Sequence, residues 1–153
     1  MSTAVQSEAK ASQVVAFRLG HDEYAVDIQQ VQEIIRHTEP RAMPGSPPEV
    51  LGVINLRGRL IPVVDLAALL GAAAAAPADA KIVVVALPGA TAGLVVDEVT
   101  EVRQLVGDQL EPAPGDGAAR AGVQSVARLE DRLMVVLDLE MVLGAGRLDG
   151  LGA

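Results

Sequence analysis

Short aliphatic runs separated by brief polar or Gly- and Pro-containing breaks fill most of the chain between residues 14 and 137. Runs at 14–19 and 24–26 flank GHDE, runs at 50–55 and 60–64 flank LRGR, and runs at 82–87 and 93–96 flank PGAT. These breaks contain residue types that supply turn conformations, so the three pairs predict β-hairpins. Further runs at 99–105, 123–129 and 133–137 extend the series of short strands. Between 28 and 35 the pattern changes: apolar residues fall at 28, 31, 34 and 35, a helical spacing. That stretch predicts a short helical turn leading into a strand. Many short strands with closely spaced turns predict a mainly β fold, a sandwich or a barrel, and closure into a barrel removes exposed strand edges.

The pattern also repeats. RLIPVVDLAALLG (59–71) and RLMVVLDLEMVLG (132–144) are identical at seven of thirteen positions, at an offset of 73. In both, an aliphatic run leads to an Asp, then to helix-compatible residues, then to Gly. Asp65 and Asp138 are placed to cap a helical turn, and Gly71 and Gly144 to end it with positive φ. A weaker echo precedes each copy: YAVDIQQVQEI (24–34) resembles LVVDEVTEV (94–102) once two residues are dropped. Two echoes in the same order imply an internal duplication, with a first half at about 13–71 and a second at about 81–144 of one domain, 13–144. GAAAAAPADA (71–80) reads as a linker, EPAPGDGAARAG (111–122) as a loop, and residues 1–12 and 145–153 as mobile tails.

Composition narrows the function. Half of the 153 residues are apolar, yet Phe17 and Tyr24 are the only aromatics, so the core is aliphatic. With no cysteine, disulfides, thiolate metal sites and cysteine nucleophiles are excluded, and a reducing cytoplasm is compatible. A net charge of −8 without basic clusters argues against a nucleic-acid partner. No secretion signal is read at the N-terminus. Residues 60–78 carry only Asp65 but contain Pro62, Gly71 and Pro77; residues 82–96 are uncharged but broken by Pro88, Gly89 and Gly93. Neither is read as a membrane span, which needs about 20 strongly apolar residues.

Enzymatic chemistry finds little support. His21 falls in a hairpin turn and His37 before a Pro-containing stretch, neither with metal-ligand spacing, so both read as solvated imidazoles. Asp97, Glu98 and Glu101 form an acidic cluster, but without a nucleophile or oxyanion donor it reads as a solvated strand end. GDGAARAG and GAGRLDG lack the spacing of a phosphate-binding loop. No catalytic residue, metal or cofactor is expected.

The informative segment is GVINLRGRLIPVVDL (52–66). On its own it reads as a hairpin, with Asn55 and Gly58 as turn residues and Arg57 in solvent. The sharper reading is a rigid hairpin presenting Arg57 to a partner, since Arg is enriched at binding hot spots.

INLRGRLIPVVDL, preceded by VDIQQVQEII (26–35) and followed by GLVVDEVTEV (93–102), resembles the CheW coupling proteins of bacterial chemotaxis, from about residue 14 to 143. The resemblance implies two packed five-stranded β-barrels, with strands open to exchange between the halves. It also implies a non-enzymatic cytoplasmic adaptor, recruited to membrane-associated receptor arrays, that bridges a chemoreceptor's cytoplasmic tip to the regulatory domain of a CheA-type histidine kinase. By the same resemblance, Val31 and Glu33 match positions implicated in partner binding, and Gly52, Arg57 and Gly58 match the receptor-side hairpin. Asn55 shares that motif as a turn residue. The 111–122 loop has little that matches. Rival readings are a coupling protein of a related system such as type IV pilus twitching, a small-molecule-binding barrel with an open interior, and an enzyme with a concave pocket.

Overall fold

A computed structural model describes residues 12–71, 80–112 and 122–144. The tails, the linker and the 111–122 loop expected from the sequence fall wholly or mostly outside these residues. The first half supplies β1 (Ser12–Leu19), β2 (Asp22–Asp27), a 3₁₀ turn (Ile28–Gln30), β3 (Val31–Arg36), β4 (Val50–Leu56), β5 (Arg59–Val64) and the short helix α1 (Leu66–Leu70). The second supplies β6 (Lys81–Leu87), β7 (Ala90–Val96), β8 (Glu98–Leu105), a 3₁₀ turn (Gly107–Gln109), β9 (Leu110–Pro112), β10 (Val123–Leu129), β11 (Arg132–Leu137) and α2 (Leu139–Leu143). The helical turn followed by a strand, expected at 28–35, is present. Asp27 caps that turn by accepting a hydrogen bond from the Gln29 N–H at 2.9 Å.

Two expectations need correction. The three hairpin turns are tighter than expected: Leu19 pairs directly with Asp22, Leu56 with Arg59 and Leu87 with Ala90, which leaves two residues in each loop. The start of the expected 111–122 loop is strand, because Leu110–Pro112 pairs with β10. Arg128 on β10 clasps Glu111 on β9 and, through this hydrogen bond and its charge, holds that carboxyl below the usual carboxylate range. One sheet therefore has six strands where five were expected.

The strand orders are β8-β1-β2-β11-β10-β9 and β3-β6-β7-β5-β4. Superposing the halves turns one order into the other, β9 excepted. Even the parallel pairs correspond: β2 runs beside β11, and β7 beside β5. Each sheet thus takes its β1–β2 or β6–β7 hairpin from one half and its remaining strands from the other. The bulges recur as well, at Gln32 and Thr100, and at Leu51 and Gln124.

Burial explains the aliphatic runs. Val14 and Ala16 of β1 join Leu105, Ala127, Met134 and Val136 in a core made by one face of the first sheet alone. Ile82 and Val84 join Ile54, Ile61 and Val63 in the matching core of the second. A sheet face can bury residues against itself only by curling, so both sheets are barrel-like. Among the described residues the hydrogen-bonded ladders leave β8 and β9, and β3 and β4, as edges. The opposite faces meet: Val15, Phe17, Val83, Val85 and both helices form a third core between the sheets. Residues 14–17 of β1 and 82–85 of β6 are therefore covered on both faces, which is why they read as unbroken apolar runs. Phe17 stacks on Tyr24 across the β1–β2 ladder with ring centroids 6.4 Å apart.

The caps read from the repeat are in place. Asp65 accepts from the Ala68 N–H at 3.2 Å and Asp138 from the Met141 N–H at 3.3 Å. Gly71 and Gly144 end the helices at φ 71° and 67°. Asp65→Ala or Asp138→Ala is expected to cost about 1 kcal/mol each, read as a lower urea midpoint at unchanged slope. An unchanged midpoint would show that helix packing alone fixes these turns. Residues 60–71 form strand and a five-residue helix, and 82–96 form two strands; no helix among the described residues is long and apolar enough to cross a membrane.

Candidate protein-docking site

The β4–β5 hairpin closes with a two-residue turn, Arg57–Gly58, since Leu56 pairs with Arg59. Both turn residues have positive φ, 54° and 88°, the signature of a type I′ turn, whose twist matches that of the flanking strands. The Asn55 side chain fixes the turn by accepting the Gly58 N–H at 2.8 Å. Asn55 and Gly58 therefore act as turn residues. Arg57 is the only described residue other than glycine at positive φ. A side chain in the left-handed region costs about 1 kcal/mol, and such strain at a surface tip is a pointer to function.

The turn brings Arg57 onto β3, where its guanidinium pairs with the Glu33 carboxylate. Arg57's side chain remains 69% exposed, whereas Glu33's is 29% exposed. Glu33 reaches this place because the bulge at Gln32 re-registers β3 against β6. Val31, on the other side of the bulge, is half-buried against the core between the sheets. The structure thus unites Glu33, Asn55, Arg57 and Gly58 at one hairpin tip, with Val31 lower on the adjoining strand.

Gly52 is elsewhere. It is buried under the segment that returns from β3, where Arg41 and Val53 exchange backbone hydrogen bonds of 2.8 and 2.9 Å. A Cβ at Gly52 would lie 2.2 Å from the Arg41 carbonyl oxygen, so close backbone approach accounts for this glycine.

Sequence reasoning missed the exposed aliphatic side chains on and between these strands. Ile34 on β3 and Leu60 on β5 are 39% and 68% exposed, with Met43 and Leu51 also exposed. No sequence signal marked them: Leu60 and Leu133 are matched positions of the repeat, and only the structure shows both exposed.

The remaining candidate chemistry resolves into packing and ion pairs. Asp97 accepts the Gly20 N–H at 2.7 Å, Glu98 pairs with Arg18, and Glu101 pairs with Arg132 at 2.5 Å, so the acidic cluster is engaged rather than merely solvated. His21 lies exposed in the β1–β2 turn. No group of three or more potential metal ligands converges among the described residues. The tip thus presents an exposed guanidinium paired with Glu33, with Leu60 exposed on the strand that leaves the turn.

Residues 13–146 match the family described as the CheW-like domain. The chain is 35% identical over 144 residues to a protein of Rhizobium etli named probable chemotaxis protein CheW, covering 92% of this chain and 93% of that one. It is 35% identical over 133 residues to the chemotaxis protein CheW of Rhizobium meliloti, covering 85% and 86% respectively. Among solved structures, the scaffolding protein TtCheW from Thermoanaerobacter tengcongensis superposes with a TM-score of 0.82 at 30% identity, over 92% of this chain and 98% of that one.

Proposed function

The chain belongs to the CheW-like domain family and is an adaptor of chemotaxis signalling; on that premise we propose that it joins a chemoreceptor tip to a CheA-type kinase through the Glu33–Arg57 face. The observation that carries this reading is the strained Arg57, held at an exposed tip by Asn55 and Glu33, with exposed Leu60 close to the turn on β5. Such a tip combines the donor fork of Arg with apolar area, the combination found at interface hot spots. Gly52 and Val31 act from beneath, the one admitting the returning segment and the other seating β3.

The mode of action is docking. A receptor helix lays its apolar face along the exposed aliphatics, and the kinase's regulatory domain packs against a barrel-like sheet. No covalent step is involved; the adaptor shifts the kinase between states by binding them unequally. It works in the cytoplasm, recruited to receptor arrays by its partners.

Titration calorimetry of the purified chain with the regulatory domain of the CheA-type kinase from the same genome tests this. Saturable binding is expected. No heat and no co-migration at the highest attainable concentrations would sink the chemotaxis partner assignment and leave the twitching-type reading to be tested with that system's kinase.

A further inference from the structure

One arginine stands at the same place in each half of the duplication, and the fold holds the two differently. Arg59 on β5 and Arg132 on β11 are matched positions, since RLIPVV (59–64) lies over RLMVVL (132–137). Side chains alternate along a strand, so Arg59 shares its face with Ile61 and Val63, and Arg132 shares its face with Met134 and Val136. Those partners belong to the cores that the second and first sheets form on their own inner faces. Each arginine therefore ends the inner face of a curled sheet.

Arg132 is answered within the fold. Its guanidinium meets Glu101 on β8 at 2.5 Å and Glu23 on β2 at 3.2 Å. Neither carboxylate has a counterpart free for Arg59. The repeat sets Gly93 where the other half has Glu23, and an added Cβ there would lie only 2.7 Å from Ile82 Cγ2. It sets Glu33 where the other half has Glu101, but Glu33 is taken by Arg57. Arg59 is left with a neutral partner: its Nη2 donates to the Thr91 hydroxyl at 3.3 Å. It takes part in none of the ion pairs formed among the described residues. The side chain is exposed, and Leu60 beside it is 68% exposed.

We infer that Arg59 is a specificity-determining residue that binds a carboxylate of the kinase's regulatory domain, in the role that Glu23 and Glu101 fill for Arg132. The inference rests on the docking reading above and adds the chemistry the partner must present: an acidic side chain beside an apolar contact for Leu60. A guanidinium suits this role because its donor fork matches a carboxylate with two parallel hydrogen bonds. Thr91 already holds one arm of the fork, so less freedom is lost when the carboxylate arrives. Net charge sharpens the choice. The chain carries −8 overall, so an acidic surface is repelled in general and admitted where an unanswered cation stands.

Calorimetry of the full chain with the kinase's regulatory domain, at several salt concentrations, tests it. Arg59→Gln keeps a donor for Thr91 and removes the charge. It is expected to weaken binding about tenfold, the scale of one charge-assisted hydrogen bond, at an unchanged melting temperature. Wild-type affinity should fall as salt rises and the Debye length shrinks from about 10 Å at 0.1 M to about 3 Å at 1 M. The fall should be shallower for Arg59→Gln. Arg59→Glu should bind more weakly still. In a scan that replaces each exposed acidic residue of the regulatory domain by arginine, one variant should lose the wild-type chain and regain Arg59→Glu. Wild-type affinity in Arg59→Gln would overturn the inference and leave the docking reading standing, because Arg57→Glu reports on that reading independently. Weaker binding with an unchanged salt dependence would overturn it too, since Arg59 would then meet a neutral acceptor, and so would a scan without a rescued variant. A wild-type chain that binds no regulatory domain removes the docking reading and this inference with it.

Discussion

Gly52→Ala is expected to lower the melting temperature by roughly 10 °C or more. The added Cβ would sit 2.2 Å from the Arg41 oxygen and 2.5 Å from its carbonyl carbon, both backbone atoms that cannot rotate away. The residue also has φ 148°, a conformation open essentially to glycine alone. Clash and dihedral strain together are worth about 3–5 kcal/mol, a large part of the total stability of an ordinary domain. At about 2–4 °C per kcal/mol for a chain of this size, that gives the stated shift. Thermal unfolding followed by circular dichroism reads it, with Gly58→Ala as the control. Gly58 has φ 88° but nothing within 4 Å of its added Cβ, so only the strain applies and about 1 kcal/mol is expected. Equal losses in the two variants would remove the Arg41 contact as the reason for Gly52.

Arg57→Glu is expected to weaken binding to the kinase regulatory domain or the receptor tip about 30-fold or more while leaving the fold intact. A hot-spot side chain is worth about 2 kcal/mol, which is that factor. The stability change is small because the pair with Glu33 is exposed on the Arg side, and such pairs contribute about 0–1 kcal/mol. Two further variants isolate the cause. Arg57→Asn suits the left-handed turn and should match the wild-type stability or exceed it by up to about 1 kcal/mol, yet bind weakly. The exchanged pair Glu33→Arg/Arg57→Glu keeps an ion pair between tip and strand. If the pair's only task were to hold the hairpin, the exchange would restore binding; if Arg57 faces the partner, it would not. Wild-type affinity in both Arg57→Glu and Arg57→Asn would remove this residue from the docking surface.

Features fixed by neighbours along the chain were legible beforehand. Asp65 and Gly71 bound a single helical turn, and their chemistry acts within three to six residues, so the repeat with Asp138 and Gly144 could be read as two capped helices. The β4–β5 turn was legible in Asn55 and Gly58 for the same reason. The helical turn at 28–30 showed in its spacing. A core built from aliphatic side chains followed from composition, and the family followed from motif order.

What the tertiary structure decided involves residues distant in sequence. Two repeats of similar strands are compatible with two self-contained sheets; only the ladders show that each half lends a hairpin to the other, because every aliphatic strand is an acceptable neighbour for the rest. Strand β9, three residues long and ending in Pro112, carries no period that a pattern could reveal. Glu33 and Arg57 are 24 residues apart, and no spacing rule joins them; a bulge and a left-handed turn do. Arg41 lies across Gly52, and no local pattern in the sequence announces that approach. Leu60 and Leu133 match core positions in any alternating pattern, and they are exposed because they lie next to the hairpin tips, where no neighbouring element covers them. Sequence thus determined the local conformations, the apolar faces and the family. Tertiary structure determined which faces found a partner within the chain and which were left exposed, because burial depends on surfaces brought together by chain closure.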